Sequence, residues 1–180
     1  MTLPIDAIVD RRWARSLRRF AGGTKVPYWI NGQHRQLDEG TRAEAISRPE
    51  ARFIRSTLAE VDRLTGLRFV EKASRSSTAI DFYRLERFAE PGVLGQTTRN
   101  RGWFEISWEN RAGDRLSGSE RWTIVHEIGH ALGLDHPYGM PFSRRFDNSD
   151  TVMSYIPSGS PVLGFAKADR EALLELWGAG

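Results

Sequence analysis

The sequence predicts an α+β fold in a single domain, on three observations. The chain has 180 residues, enough for one domain with its own core. Two stretches of helical apolar period each open on a Ser-x-x-Glu capping box, at Ser47–Glu50 and Ser117–Glu120. Five short β-rich runs lie outside them, each too short to be a helix.

Taken in order, Ile5, Ile8, Val9, Trp13, Leu17 and Phe20 fall on one helical stripe, which Gly22-Gly23 ends. Residues 26–30 (VPYWI) form the first strand and stop at the Asn31-Gly32 turn signal. The polar residues 31–46 read as loop. Ser47 caps the next helix, with Pro49 in its first turn and Phe53, Ile54, Leu58, Val61 and Leu64 on its apolar face. Gly66 occupies the place of a left-handed C′ glycine. Strands are expected at 67–71, 79–84, 92–98 and 103–108. Trp122 to Leu132 reads as helix, 137–161 as irregular, and 168–177 as a last helix followed by Gly178. No internal repeat or linker is visible.

Composition narrows the function classes. Hydrophobic residues make up 39% of the chain and charged residues 27%, a globular balance. No apolar run approaches the ~18 residues of a membrane span. The absence of cysteine excludes a disulfide scaffold, a thiolate metal site and a thiol nucleophile. No signal peptide is legible after Met1. The formal net charge of +3 is uneven, with Arg11, Arg12, Arg15, Arg18, Arg19 and Lys25 clustered near the start. That cluster reads as the solvated face of a helix. No nucleic-acid partner is expected, because no zinc-finger, RNP or helix-turn-helix signature accompanies the charge.

The informative window is His126-Glu127-Ile128-Gly129-His130-Ala131-Leu132-Gly133-Leu134-Asp135-His136. On a helix, His126 and His130 differ by about 40° in azimuth and one turn in height, so both imidazoles reach one point. Gly133 allows the helix to stop and reverse, which brings His136 to the same point from another direction. Three neutral imidazoles with an open fourth position match a catalytic zinc site, whereas structural zinc is usually closed by four protein ligands. Glu127 points about 100° away from His126, the wrong angle for a ligand and a suitable one for a base acting on water. A lone histidine is more often a satisfied core residue, but here three of the four histidines share eleven residues; His34, in a polar stretch, receives no role.

The pattern HExxHxxGxxH followed by a Met-turn marks metzincins, and Thr151-Val152-Met153-Ser154-Tyr155 follows His136 here. The chain resembles metzincin zinc endopeptidases over nearly its whole length, and serralysins and astacins most. HEIGHALGLDHP, with Pro137, and the ending from Asp169 to Gly178 look like serralysin segments. VPYWI, LTGLRFVE and VLGQT are similar to astacin segments. Astacin disulfides and the glycine-rich calcium-binding repeats of serralysins are absent.

The resemblance implies a twisted, mixed five-stranded sheet with an active-site helix, in a single catalytic domain over 1–180. A small irregular C-terminal subdomain with the Met-turn and a last helix would span about 137–180, after an N-terminal subdomain at about 1–136. It implies Zn²⁺ on His126, His130 and His136, Glu127 as the base, and Met153 as a soft floor beneath the imidazoles. Tyr155 would hydrogen-bond the tetrahedral oxyanion. A peptide or protein substrate would add as a strand along Val93, Leu94, Gly95, Gln96 and Thr97, with Phe142 and Phe146 of the loop 137–150 walling a side-chain pocket. Secretion is what the family would suggest. Two other classes fit the motif: an inactive or latent zinc module that captures peptides, and a zinc hydrolase acting on something other than peptides.

Overall fold

A computed structural model describes residues 3–38, 40–162 and 164–180. Among them the chain is a mixed α+β structure of four α-helices and one seven-stranded sheet. The helices are α1 (Arg11–Ala21), α2 (Arg48–Leu64), α3 (Gly118–Leu132) and α4 (Lys167–Trp177). The strands are β1 (Lys25–Ile30), β2 (Arg35–Asp38), β3 (Thr41–Glu44), β4 (Arg68–Glu71), β5 (Ile80–Leu85), β6 (Gly95–Arg99) and β7 (Phe104–Glu109). No helix is long and apolar enough to cross a membrane among the described residues.

The axis of the sheet is β5, whose six residues are all buried. It pairs in parallel with β7 on one edge and with β1 on the other, and β1 pairs in parallel with β4. The strand β6 runs antiparallel to β7 and forms the border of the sheet. Alternation divides the side chains between two faces. Val26, Ile80, Phe82, Phe104, Ile106 and Trp108 turn toward the helices and join Leu17, Ile54, Leu58, Val61, Ile124 and Ile128 in the main core. Each such side chain, fully withdrawn from water, contributes roughly 1.5–3 kcal/mol. Trp29, Tyr83, Leu85 and Ala43 turn the other way and form a smaller cluster with Leu37 and Phe88.

Three expectations need correction. The sheet has seven strands rather than five, because residues 31–46 are not a loop: β2 and β3 form an antiparallel hairpin. β1 pairs with β5 only as far as Phe82, and β3 takes over the ladder at Arg84 and Leu85. The N-terminal stripe is not one helix. A 3-10 turn covers Ile5–Ile8, Val9 is extended, and Asp10 then caps α1 by accepting from the amides of Arg12 (2.8 Å) and Trp13 (3.1 Å). Gly66 is not a left-handed C′ residue either. The helix α2 ends on extended Thr65 (φ −120°, ψ 173°), and a Cβ at Gly66 would lie 3.1 Å from the carbonyl oxygen of Trp177. That glycine is favoured by a close approach, not by a turn.

Both capping boxes form as expected, and Gly133 (φ 96°) closes α3 in the left-handed region. Residues 137–161 contain only a 3-10 turn, Pro137–Gly139, outside bends and turns.

Candidate metal centre

The helix α3 lies across β6 and β7, and its capping box fixes where it starts. Four residues apart on it, the rings of His126 and His130 stand 4.7 Å centroid to centroid. After the Gly133 reversal, His136 places its ring 5.3 Å from His126 and 4.8 Å from His130. One nitrogen from each of the three lies within 4.8 Å of the others, close enough for all to hold one metal ion.

Hydrogen bonds set which nitrogen each ring presents. Nδ1 of His126 lies 2.8 Å from the carbonyl oxygen of Val152, and Nδ1 of His130 lies 3.1 Å from that of Leu134. A carbonyl only accepts, so the proton sits on Nδ1 in both rings and the lone pair on Nε2. Nε2 of His126 and of His136 is buried without a hydrogen-bond partner. A buried polar atom left unpaired is costly, and a metal ion at the meeting point of the three rings is the partner that donor set fits. Burial pushes the imidazoles toward the neutral form a metal needs: His126 well below its ordinary value, His130 to about 4, and His136 downward.

Glu127 occupies the same turn of α3 and is 4% exposed. Burial raises its carboxyl to about 7, against the hydrogen bond from Thr97. Thr97 Oγ1 stands 2.8 Å from both the Glu127 carbonyl oxygen and Oε2, tying β6 to α3. The two elements press together at Gly95, where a Cβ would fall 2.3 Å from Thr123 Cγ2 and 2.9 Å from Glu127 Oε1. Glu127, His130, Gln96, Thr97, Leu134 and Tyr155 line one cleft of about 380 Å³, which Asp10 and, from α1, Arg12 and Trp13 border.

The turn Thr151–Ser154 runs beneath this helix, closed by the Ser154 amide on the Thr151 carbonyl at 3.2 Å. Met153 is fully buried, and its sulfur stands 2.9 Å from where a Cβ on Gly129 would lie. Val152 accepts from His126 and also from Trp122 Nε1 (3.1 Å). Asp169 of α4 holds the turn from below, accepting from the Thr151 hydroxyl and from the Val152 amide at 2.9 Å. Tyr155 is 38% exposed, with its ring 5.2 Å from those of both His126 and His136. Burial, and then the nearby Glu127, raise its phenol above the ordinary value.

The expected edge strand is shifted. Gly95, Gln96 and Thr97 belong to β6, but Val93 and Leu94 precede it, and Leu94 contributes only a carbonyl to the Glu109 amide (2.9 Å). Phe146 is buried, whereas Phe142 is 70% exposed and stands edge-on to Tyr155 at 5.1 Å. His34 lies away from the cleft, beside Arg35 and Glu44. Sequence reasoning missed the Thr97–Glu127 link, the Val152 carbonyl and Asp169. Only the side-chain types offered a signal, because each partner comes from a different element.

No protein-family model and no curated protein matches the chain.

Proposed function

We propose that this protein is a zinc-dependent endopeptidase of the metzincin type. The reading is carried by the conjunction of three converging imidazoles with a buried carboxyl raised to about 7, His130 and Glu127 together lining a cleft bordered by an edge strand. His126, His130 and His136 would hold the ion through Nε2, three nitrogen ligands with room for a fourth position, as catalytic zinc requires. Zinc held there supplies Lewis acidity, lowering the pKa of water toward ~7 and polarising a carbonyl.

The rest falls to the chain's own side chains. Glu127 takes a proton from the attacking water onto its carboxylate as the C–O bond forms. It returns that proton to the leaving amine as the C–N bond breaks, so it ends as it began. A carboxyl titrating near 7 suits both halves of that cycle at neutral pH. The Thr97 hydroxyl, shared between Oε2 and the Glu127 carbonyl oxygen, holds the carboxyl on that side and leaves Oε1 for the water. The phenol of Tyr155 stands beside His126 and His136 and donates to the oxyanion of the tetrahedral intermediate. The outer edge of β6 offers unpaired main-chain groups on which an extended peptide aligns.

Zinc content and casein cleavage, with a chelator control, test this reading together. One zinc per chain and chelator-sensitive cleavage are expected. Zinc uptake without cleavage would leave a peptide-capturing module, and chelator-resistant cleavage would remove the metal from the mechanism.

A further inference from the structure

The third imidazole does not sit on α3. It arrives on a reversed segment, and the structure shows what grips that segment. The amide of Asp10 donates to the carbonyl of Gly133 at 2.7 Å, and the amide of Asp135 donates to the carbonyl of Ile8 at 2.9 Å. Between these two bonds Val9 and Leu134 face each other as an antiparallel bridge. The grip is tight. A Cβ at Gly133 would lie 2.8 Å from Ala14 Cβ and 3.1 Å from the carbonyl oxygen of Asp10. Ile8 and Leu17, on either side of the bridge in sequence, are fully buried.

The gripped residues are those that aim two of the imidazoles. Leu134, paired with Val9, gives its carbonyl to Nδ1 of His130. Asp135, held by Ile8, gives its side-chain Oδ1 to the amide of His136 at 2.7 Å. Trp13, one turn into α1, sets its ring 6.1 Å from that of His130 while stacking on Phe104 at 5.0 Å.

We propose that Ile8, Val9 and Asp10 form a backbone clasp that belongs to the metal centre, so that docking of the N-terminal segment and metal binding are one coupled equilibrium. The inference rests on the reading above that the three histidines hold zinc. If the clasp opens, the segment carrying His136 is free to leave the other two rings, and apparent affinity falls by the fraction of molecules still closed. Linkage is reciprocal, so zinc tightens the clasp as much as the clasp tightens zinc. Residues 8–10 are thereby positioning elements of the site, and cutting the chain between them and α1 would disable it.

Two variants of the full chain separate the clasp from the helix cap. Asp10→Ala removes the capping carboxylate and keeps the amide. Asp10→Pro removes both; the extended Val9 before it (φ −111°, ψ 124°) tolerates a following proline, while position 10 itself must turn from φ −109° toward about −65°. Zinc affinity, read by competition with a chromophoric chelator, is expected to be about tenfold weaker in Asp10→Pro than in Asp10→Ala, the scale of one lost hydrogen bond. Equal affinity in the two variants overturns the clasp.

If Asp10→Pro does not fold, hydrogen exchange on the unmodified protein decides. The amides of Asp10 and Asp135 should slow on zinc saturation by more than that of Thr57 in α2, and uniform slowing or none overturns the proposal. An unmodified protein that takes up no zinc overturns the metal reading itself. Normal uptake with either negative result overturns the clasp alone.

Discussion

Glu50 in α2 and Glu127 in α3 are both buried carboxylates, and their surroundings differ in kind. Glu50 accepts from the Ser47 amide (2.8 Å) and hydroxyl (2.5 Å), from Arg84 Nη1 (3.1 Å) and from Trp108 Nε1 (2.8 Å). Those partners come from α2, β5 and β7, so the carboxylate knots three elements together. Among the described residues Glu127 has one side-chain donor, the Thr97 hydroxyl, and none for Oε1. Two helices that start on the same capping motif therefore use buried acid for opposite ends. A buried carboxylate with donors on both oxygens contributes structure. One left short of donors is destabilising in its charged form and ready to take a proton.

The sharpest way to break this contrast is to delete the under-supplied carboxylate. Glu127→Ala should keep its zinc, since Glu127 is not a ligand, and lose 10²–10⁴-fold in kcat, roughly the worth of a general base. Elemental analysis and peptide kinetics on one preparation check both halves. Wild-type turnover in the zinc-loaded variant would remove Glu127 from the chemistry.

Tyr155→Phe comes next. It deletes a hydroxyl and keeps the ring between His126, His136 and Phe142. A donor that acts only on the oxyanion lowers kcat, here by ~10²–10³-fold, with KM little changed. A kcat within about twofold of wild type would make Tyr155 a packing residue.

Glu50 should respond in stability instead. Glu50→Ala strips Arg84 and Trp108 of a shared acceptor in the core, although Arg84 keeps the Gly113 carbonyl at 2.8 Å. A loss of about 3 kcal/mol is expected by urea denaturation of the metal-free protein. Glu127→Gln, assayed in the same way, should cost less than about 1 kcal/mol, because it removes a charge that few donors stabilise. Equal losses in the two variants would dissolve the contrast between the carboxylates.

What the sequence made legible follows the range of the interactions involved. The starts of α2 and α3 are local, since a serine and a glutamate three residues on supply both halves of the cap. The spacing of His126, His130 and His136 is legible for the same reason: one helix and one glycine bring the rings together. The hairpin of β2 and β3 is not local. Its four-residue strands are mostly polar, and they are strands because β5 has an uncovered half-edge beyond Phe82. The role of Gly66 is set by Trp177 at the other end of the chain, and the break before α1 by Leu134. The sequence placed Thr97 on an expected strand and Asp169 near the last helix, but not their contacts with Glu127 and with Thr151 and Val152, because those partners lie on other elements.

Asp169 is a third buried carboxylate, and it sharpens the comparison by being well supplied yet destabilised. It accepts from the Thr151 hydroxyl and from the amides of Val152 (2.9 Å) and Ala166 (2.8 Å), and the Arg170 charge acts on it only weakly. Burial therefore outweighs its hydrogen bonds and pushes its carboxyl from an ordinary 3.8 to about 6. The folded state holds this proton more tightly than the unfolded state does. The stability it contributes is thus fully present below pH 3.8 and is lost as pH rises through about 6. The buried imidazoles, shifted downward, slope the other way, so wild type alone would show a mixture. Asp169→Asn separates them. The amide oxygen still accepts from Val152 and Ala166, its NH₂ donates to the Thr151 oxygen, and the histidines are untouched. The stability of wild type relative to Asp169→Asn should fall by on the order of 2 kcal/mol between pH 4 and pH 7, measured by urea denaturation at each pH. A difference constant to about 0.5 kcal/mol over that range would mean that the three donors stabilise the carboxylate as fully as water does, and that the turn beneath His126 rests on a group that does not titrate there.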